Sequence, residues 1–265
     1  MQNDNQHKEE QLLKKRLIEL SRLAYQREFI TYSNFLNLNE IHILHSLSKE
    51  ELYTKYIVFG GYDAAERQMA AFLPDALYLR WKDPEVRNQL PFPFYVLSVT
   101  PLHQKYAEIL THRDYLGAIL NLGIERSKIG DILIEDGSAV LFIHESMKTF
   151  LEEELTRVKH TAVHVQEKAE QEFSYVPKYD EIKGTVASVR LDSLLSLAFS
   201  SSRTRLRTLI EDAKVFVNGR LVTSNGYQLD EGDIVSVRGM GKFLYAGELS
   251  KTRKNRIYVV IHKYI

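Results

Sequence analysis

Apolar residues recur every three to four positions near the amino terminus, with charged residues between them. Leucines at positions 12, 13, 17, 20 and 23 follow this spacing, which predicts an amphipathic helix over residues 8–28. Similar spacing predicts helices over residues 40–47, 63–73, 111–122, 145–155 and 189–199, and a last helix capped by Ser202. Thr111 and Asp114 have the spacing of a capping box for the third of these.

Short apolar runs between these segments predict strands. They cover residues 56–59, 76–81, 94–100, 131–135, 139–144, 158–165, 215–217, 220–223, 234–238 and 258–265. Asp136-Gly137 and Asn218-Gly219 have the composition of hairpin turns. This order of elements predicts an α+β fold with a largely antiparallel sheet.

The chain is predicted to contain two domains. Residues 166–184 are polar, contain Pro177 and Gly184 and show no period, so they are the predicted linker. The first domain is then predicted over residues 1–165 and the second over residues 185–265.

Composition excludes several kinds of site. The chain has no cysteine, which excludes disulfides, thiolate metal sites and a cysteine nucleophile. Its amino terminus is polar and no apolar run is long enough to span a bilayer, so we expect a cytoplasmic protein without membrane contact.

A formal net charge of zero conceals an asymmetry along the chain. From Lys183 onward there are 14 Lys and Arg residues against 7 Asp and Glu, and the preceding part has 21 against 28. A basic domain that follows an acidic one favours a polyanionic partner, of which nucleic acid is the commonest.

The basic charge is concentrated around the helix that Ser202 caps. At about 100° per residue, Arg203, Arg207 and Lys214 share one flank of this helix, whereas Arg205 points to the other side. A position just past the end of the helix is the alternative for Lys214. A solvated helix face is the alternative interpretation of this flank. Asn218 and Gly219 are expected to be structural, because a type I′ turn requires positive φ at both positions.

Motifs of nucleotide-dependent or metal-dependent catalysis are missing from the sequence. It contains neither GxxxxGK[ST] nor GxGxxG, and His112-Arg113-Asp114 lacks the asparagine and the DFG of a kinase catalytic loop. The His42/His45 and His160/His164 pairs have no evident third ligand. We therefore expect no enzyme activity, no cofactor and no metal.

Residues 190–233 resemble the RNA-binding module named after the fourth protein of the small ribosomal subunit, here called the S-four domain. The matching positions are Arg190-Leu191-Asp192, Ser202-Arg203, Leu209-Ile210, Val215, Val217-Asn218-Gly219 and Gly232-Asp233. The resemblance implies two helices and a small sheet whose basic face contacts structured RNA. The residues expected to contact RNA are Arg190, Ser202, Arg203, Arg207, Lys214, Arg220, Arg238 and Lys242. For Arg190 and Asp192 the alternative is an ion pair or a cap within the module.

Most of the chain resembles the YlmH family of bacterial S-four proteins, which is related to the RqcP factor of ribosome-associated quality control. The residues that carry this resemblance are 59–74, 111–137 and the SVRLDSLLS segment. It implies an RRM-like, ferredoxin-like first domain, although the aromatic RNP signature of a true RRM is missing. It also implies binding to the large ribosomal subunit, its ribosomal RNA and tRNA on stalled ribosomes. Arg67, His112 and Arg113 are candidates for a second contact.

Two other functions stay open. S-four domains also occur in RNA-modifying enzymes such as pseudouridine synthases and methyltransferases, and the family's gene neighbourhood suggests a cell-division scaffold that binds RNA. The preferred expectation is a monomeric, non-enzymatic RNA-binding factor without a small-molecule substrate.

Overall fold

A computed structural model describes residues 2–62, 65–80, 91–135, 137–168, 178–252 and 256–265, without the side chains of residues 2–7, 79, 80, 106 and 203. The chain forms two compact units, Met1–Ser174 and Tyr175–Ile265. None of the helices in these ranges combines the length and hydropathy needed to cross a bilayer.

The first part of unit 1 packs helices on a three-stranded sheet. Its elements are α1 (Gln2–Arg27), β1 (Thr31–Tyr32), α2 (Leu38–Ser46), β2 (Lys55–Phe59), β3 (Met69–Leu73) and α3 (Asp75–Arg80). The strands pair antiparallel in the order β1-β3-β2. Leu17, Leu44 and Phe72 are fully buried in the core of this part.

Two predictions for this part are wrong. The helix predicted over residues 63–73 does not form within residues 65–73, of which residues 69–73 are β3, the central strand of the sheet. The strand predicted over residues 76–81 is replaced by α3. Residues 63, 64 and 81 lie outside the described residues. All five residues of β3 are buried, so the run lacks the alternation that distinguishes a strand from a buried helix. Pro74 directly precedes α3, where proline is compatible with the first turn of a helix.

Residues 94–168 form the second part of unit 1. Its elements are β4 (Phe94–Pro101), α4 (His112–Asn121), β5 (Ile129–Glu135), β6 (Ser138–His144), α5 (Lys148–Glu154), β7 (Arg157–Val158) and β8 (Thr161–Glu167). The sheet order is β5-β6-β4-β8-β7 with antiparallel neighbours throughout, the split βαβ arrangement of ferredoxin-like folds. The predicted α+β, RRM-like fold is confirmed, although this arrangement occupies residues 94–168 rather than the whole of 1–165.

Local signals explain several elements of this part. Thr111 and Asp114 form the predicted capping box at the start of α4. Glu135 pairs with Ser138 across the predicted hairpin turn, where Gly137 has φ +82° and Asp136 lies outside the described residues. The strand predicted over 158–165 is instead two short strands, because Lys159 adopts a positive φ of 50° and reverses the chain.

Unit 2 places two helices on one face of a six-stranded antiparallel sheet. Its elements are β9 (Tyr179–Val186), α6 (Leu191–Phe199), α7 (Arg203–Glu211), β10 (Val215–Val217), β11 (Arg220–Leu221), β12 (Ile234–Val237), β13 (Gly241–Lys251) and β14 (Ile257–Tyr264). The strand order is β11-β10-β12-β13-β14-β9. Leu194, Leu206, Val235 and Phe243 are fully buried in its core.

The predicted linker differs from the structure. The chain divides between Ser174 and Tyr175, inside the predicted range, but residues 179–184 belong to β9, which pairs with β14 along its whole length. Residues 169–177 lie outside the described residues. β9 escapes prediction because its sequence is polar and only its β14 partner makes it a strand.

Candidate nucleic-acid interface

A buried carboxylate joins the two helices of unit 2. Asp192, in the first turn of α6, is only 3% exposed. Its Oδ2 lies 3.2 Å from Nη2 of Arg190 and 3.5 Å from Nη2 of Arg207. The side chains of Arg190 and Arg207 remain 39% and 50% exposed, so each guanidinium is held on one side and open to solvent on the other. We call these three residues the Asp192 cluster.

The two helices position the cluster through local features. Arg190 is the residue before α6, and Ser202 caps α7 by accepting a hydrogen bond from the Arg205 N–H at 3.4 Å. Leu206 is fully buried against α6, and Arg207 follows it directly on the helix surface. The predicted cap is present, and Arg190 and Asp192 form the ion pair that was the alternative to RNA contact.

Two buried polar atoms, one within the Asp192 cluster and one beside it, have no partner among the described residues. They are Arg190 Nε and Asn225 Oδ1, and both are inaccessible to solvent. Asn225 also accepts the Asp192 N–H through its backbone oxygen and donates from Nδ2 to Oε1 of Glu211. Sequence reasoning missed Asn225 and Glu211, since only the packing of the loop on α7 brings them to this site.

Lys214, the last residue predicted on the flank of Arg207, is not part of α7. Lys214 lies beyond the end of α7, the alternative that the sequence left open for it, and its Nζ contacts Asp212 at 3.1 Å. Its backbone oxygen accepts the Arg238 N–H at 3.0 Å, which places these two residues side by side. The side chain of Arg203 lies outside the described residues. Arg205 is exposed, and its backbone N–H donates to the Ser202 hydroxyl.

Arg238 and Lys242 are placed by aromatic rings. The Arg238 guanidinium lies 5.4 Å from the ring centre of Phe216, and Lys242 Nζ lies 5.2 Å from that of Tyr264. Arg220 is exposed at the start of β11. The predicted contact residues outside the Asp192 cluster do not form one group. Lys214, Arg238 and Lys242 lie at one end of strands β10, β12 and β13, whereas Arg220 lies at the opposite end of β10, next to the Asn218-Gly219 turn.

The Asn218-Gly219 turn adopts the geometry predicted for it. Both residues have positive φ, 49° and 74°. The Asn218 side chain donates to Asp233 Oδ1 at 2.7 Å and accepts the Ile234 N–H at 2.9 Å. These bonds connect the turn to the Gly232-Asp233 turn, so Asn218 stabilises the end of the sheet.

Arg67 in unit 1 is not placed to contact an external partner. It is 9% exposed, and its guanidinium donates to the backbone oxygens of Ile129, Phe35 and Arg126. Burial is the main cause that lowers the pKa of its guanidinium below the usual value for arginine. Its backbone N–H also donates to Asp131. The predicted contact role for Arg67 is therefore wrong, since the side chain connects the two parts of unit 1.

His112 and Arg113 are neighbours in sequence but have different surroundings. Partial burial, with the nearby charge of Arg126, lowers the pKa of His112 from 6.5. Arg113 is exposed and lines a cleft beside α4. The cleft also contains Arg157 and Lys159, which sequence reasoning missed although both are cations in a chain reversal directly after a helix.

The sheet face that carries RNA in a true RRM is covered in this protein. Phe142 in β6 is fully buried, with its ring centre 5.7 Å from that of Tyr62. Gly61 approaches so closely that a Cβ there would lie 2.1 Å from the Phe142 ring. On β4, Phe94 lies 5.5 Å from the ring of Phe35. The first part of unit 1 thus occupies the surface on which an RRM stacks bases.

The described residues contain no group of three or more His, Asp or Glu side chains that could hold a metal ion.

Two protein-family models match the chain. Residues 94–172 match the model described as "Putative RNA-binding domain in YlmH", and residues 189–235 match the S4 domain, the module called S-four above. The first match coincides with the ferredoxin-like part of unit 1, and the second contains the Asp192 cluster.

The predicted resemblance to the YlmH family is confirmed. The chain is similar to a Bacillus subtilis protein named ribosome-associated protein quality control protein P2, with 27% identity over 261 residues, 97% of this chain and 96% of that protein. It also resembles the small ribosomal subunit protein uS4 of Coxiella burnetii, with 33% identity over 82 residues, 28% of this chain and 40% of that protein.

A solved structure is also similar to the chain. It is the cell division protein ylmH from Streptococcus pneumoniae, with a TM-score of 0.47 and 22% identity over 62% of this chain and 93% of that one.

Proposed function

We propose that this chain is a non-enzymatic RNA-binding factor of ribosome-associated quality control. Its C-terminal unit binds ribosomal RNA on the large subunit, together with tRNA, while stalled nascent chains are processed. The factor therefore acts in the cytoplasm, where ribosomes translate.

The Asp192 cluster is the observation that carries this proposal. A guanidinium held on one side by a carboxylate presents its remaining N–H groups in a fixed direction, which suits the paired oxygens of a phosphate. Structured RNA exposes phosphates and 2′-hydroxyls, so fixed arginines on rigid helices can recognise its shape without base contacts. Arg190 and Arg207 have this arrangement.

The relatives support the ribosomal part of the proposal. The Bacillus subtilis protein, whose name states ribosome association and quality control, aligns with 97% of this chain. The second relative is a ribosomal protein whose alignment with this chain covers 82 residues. Together with the two RNA-binding family models, these names favour a ribosome-bound factor.

Replacing Arg207 by glutamine tests the proposal, with Arg205→Gln as the matched control on the same helix. Because a charge-assisted contact contributes about 1.5–3 kcal/mol, Arg207→Gln is expected to weaken co-sedimentation with large subunits about tenfold or more. Arg205→Gln is expected to bind within about twofold of the wild type, since it removes one charge from the opposite side of α7.

Quantitative binding of purified large subunits at several salt concentrations provides the measurement. Equal binding by wild type and by the double variant Arg190→Gln, Arg207→Gln would overturn the proposal. Equal losses in the Arg205 and Arg207 variants would show that general charge, rather than the Asp192 cluster, is responsible.

A further inference from the structure

A cleft of about 570 Å³ lies in unit 1 between α4 and the corner formed by α5 and β7. One wall is the face of α4 that carries Arg113, Gly117 and Asn121. The other wall carries Arg157 and Lys159. The cleft is thus on the helix side of the ferredoxin-like sheet, away from the covered face of β4 and β6.

One of the three cations is already paired within the cleft. Lys159 Nζ lies 2.8 Å from Asp114 Oδ1, and this hydrogen bond, with those from Thr111, lowers the pKa of Asp114 to about 2. Asp114 is also fixed by the N–H and hydroxyl of Thr111, both at 2.8 Å. The Lys159–Asp114 pair is therefore a fixed, neutral part of the cleft wall.

Arg113 and Arg157 are the cations that remain available. Both are exposed, and neither forms an ion pair with any residue in the described ranges. Glu154 is the other carboxylate that lines the cleft, so the local charge stays positive although the part of the chain before Lys183 carries excess acid. A groove in which cations outnumber acids suits an anionic ligand.

The cleft wall is shaped for close approach. Gly117 lies near the middle of α4, and a Cβ placed there would have no atom within 4 Å. Glycine is unfavourable inside a helix, so packing within unit 1 gives no reason for it here. Without a side chain at this position, a ligand can approach the backbone of α4 one helical turn from Arg113.

We propose that this cleft is a second RNA-contact site, which binds the sugar-phosphate backbone of structured RNA through Arg113 and Arg157. This proposal rests on the proposed RNA-binding function. It places an RNA-contact site within residues 94–172, which match the model of a putative RNA-binding domain. Because the sheet face used by RRMs is covered by Tyr62 and Phe35, RNA binds this domain on its helix side. An acidic protein segment is the competing ligand.

Salt-dependent RNA binding by the full chain tests the site. The probe is a fluorescently labelled RNA hairpin, and the variant is Arg113→Gln with Arg157→Gln. Loss of two phosphate contacts should reduce the slope of log K against log salt by about 1.4–1.8. Between about 50 and 200 mM salt, the wild type should then lose about tenfold more affinity than the variant.

Two matched variants separate charge at the cleft from charge elsewhere. Arg22 and Arg27 are exposed on α1 of the same unit, so Arg22→Gln with Arg27→Gln should keep the wild-type slope. Arg113→Lys with Arg157→Lys should also keep the slope, because both charges remain, while affinity falls with the loss of bidentate contacts. If the variant Arg113→Gln with Arg157→Gln keeps the wild-type slope of log K against log salt, the proposal is overturned.

Cross-linking locates the RNA directly. The chain has no cysteine, so Asn121→Cys places one photoactivatable cross-linker in the cleft and Gln26→Cys places one on α1 as a control. We expect RNA cross-links from position 121 only. Cross-links from neither position, while Arg207→Gln still weakens binding, would refute this site and leave the proposed function standing. Poly-glutamate is the probe for the competing ligand. If the double variant Arg113→Gln, Arg157→Gln loses poly-glutamate binding but keeps RNA binding, the cleft is assigned to an acidic protein segment instead.

Discussion

Asp192 is a buried acid at the centre of a basic surface. Its carboxylate lies within 3.5 Å of both guanidiniums, so it removes one positive charge from a face proposed to bind a polyanion. Net attraction to RNA would be stronger without it. Its presence is explained if orientation of Arg190 and Arg207 matters more for binding than one additional charge.

Asp192→Asn distinguishes orientation from charge. If net charge dominates, the variant binds RNA more tightly because it gains one positive charge. We expect the opposite, about tenfold weaker binding to large subunits, together with a loss of about 1–2 kcal/mol in the free energy of unfolding. Binding measurements and urea denaturation check both parts, and tighter binding by the variant would contradict the orienting role.

Arg67 is a buried cation whose partners are mostly backbone oxygens. Arg67→Met keeps the length of the side chain but leaves the oxygens of Ile129, Phe35 and Arg126 without this donor. We expect a loss of about 3–5 kcal/mol in the free energy of unfolding, measured by urea denaturation. RNA affinity of the folded fraction should stay at the wild-type value, and a stable variant with weakened RNA binding would show that Arg67 is a contact after all.

Residues whose roles depend on near neighbours could be predicted from the sequence. Ser202 as a cap, Asp114 in a capping box and the Arg190–Asp192 pair all act within three positions along the chain. The Arg207–Asp192 contact could not be predicted, because it depends on how α7 packs against α6. The burial of Arg67 escaped prediction for the same reason, since its acceptors lie at least 32 positions away.

At the scale of elements, the hydrophobic pattern does not distinguish a strand from a helix when both faces of the element are buried. β3 has neighbours on both edges and no exposed residue, so MAAFL is equally compatible with helix and strand. Amphipathic elements such as α1 and the β5-β6 hairpin keep a polar side or a turn sequence, and they were predicted correctly. β9 shows the converse, a polar strand whose Gly184 lies directly under Leu197 of α6.

The close covering of the RRM-like sheet face requires a glycine at position 61. Gly61 has φ +99°, and a Cβ there would overlap the ring of Phe142. Gly61→Ala is expected to cost about 2–4 kcal/mol of unfolding free energy, because it adds overpacking to backbone strain. Gly137 is the matched control, since it also has positive φ but no atom within 4 Å, and Gly137→Ala should cost only about 1 kcal/mol. Equal losses in thermal denaturation would show that the sheet face is not tightly covered.

At the scale of the whole molecule, the excess of basic residues lies in unit 2 and the excess of acidic residues lies in the preceding part of the chain. The 14 Lys and Arg residues from Lys183 onward exceed the 7 acids there, and these residues fall within unit 2. Zero net charge therefore does not argue against RNA binding, because the attraction acts locally over a Debye length of about 8–10 Å. The same reasoning permits a small positive cleft on the acidic unit 1.

A cryo-EM map of the large ribosomal subunit with the full chain bound tests the central claim most directly. We predict that ribosomal or transfer RNA phosphates lie within hydrogen-bond distance of Arg190 and Arg207, and that Arg205 faces away from them. A map in which unit 2 contacts only protein, or in which RNA lies against the Arg205 side of α7 while the Asp192 cluster faces solvent, would contradict the claim.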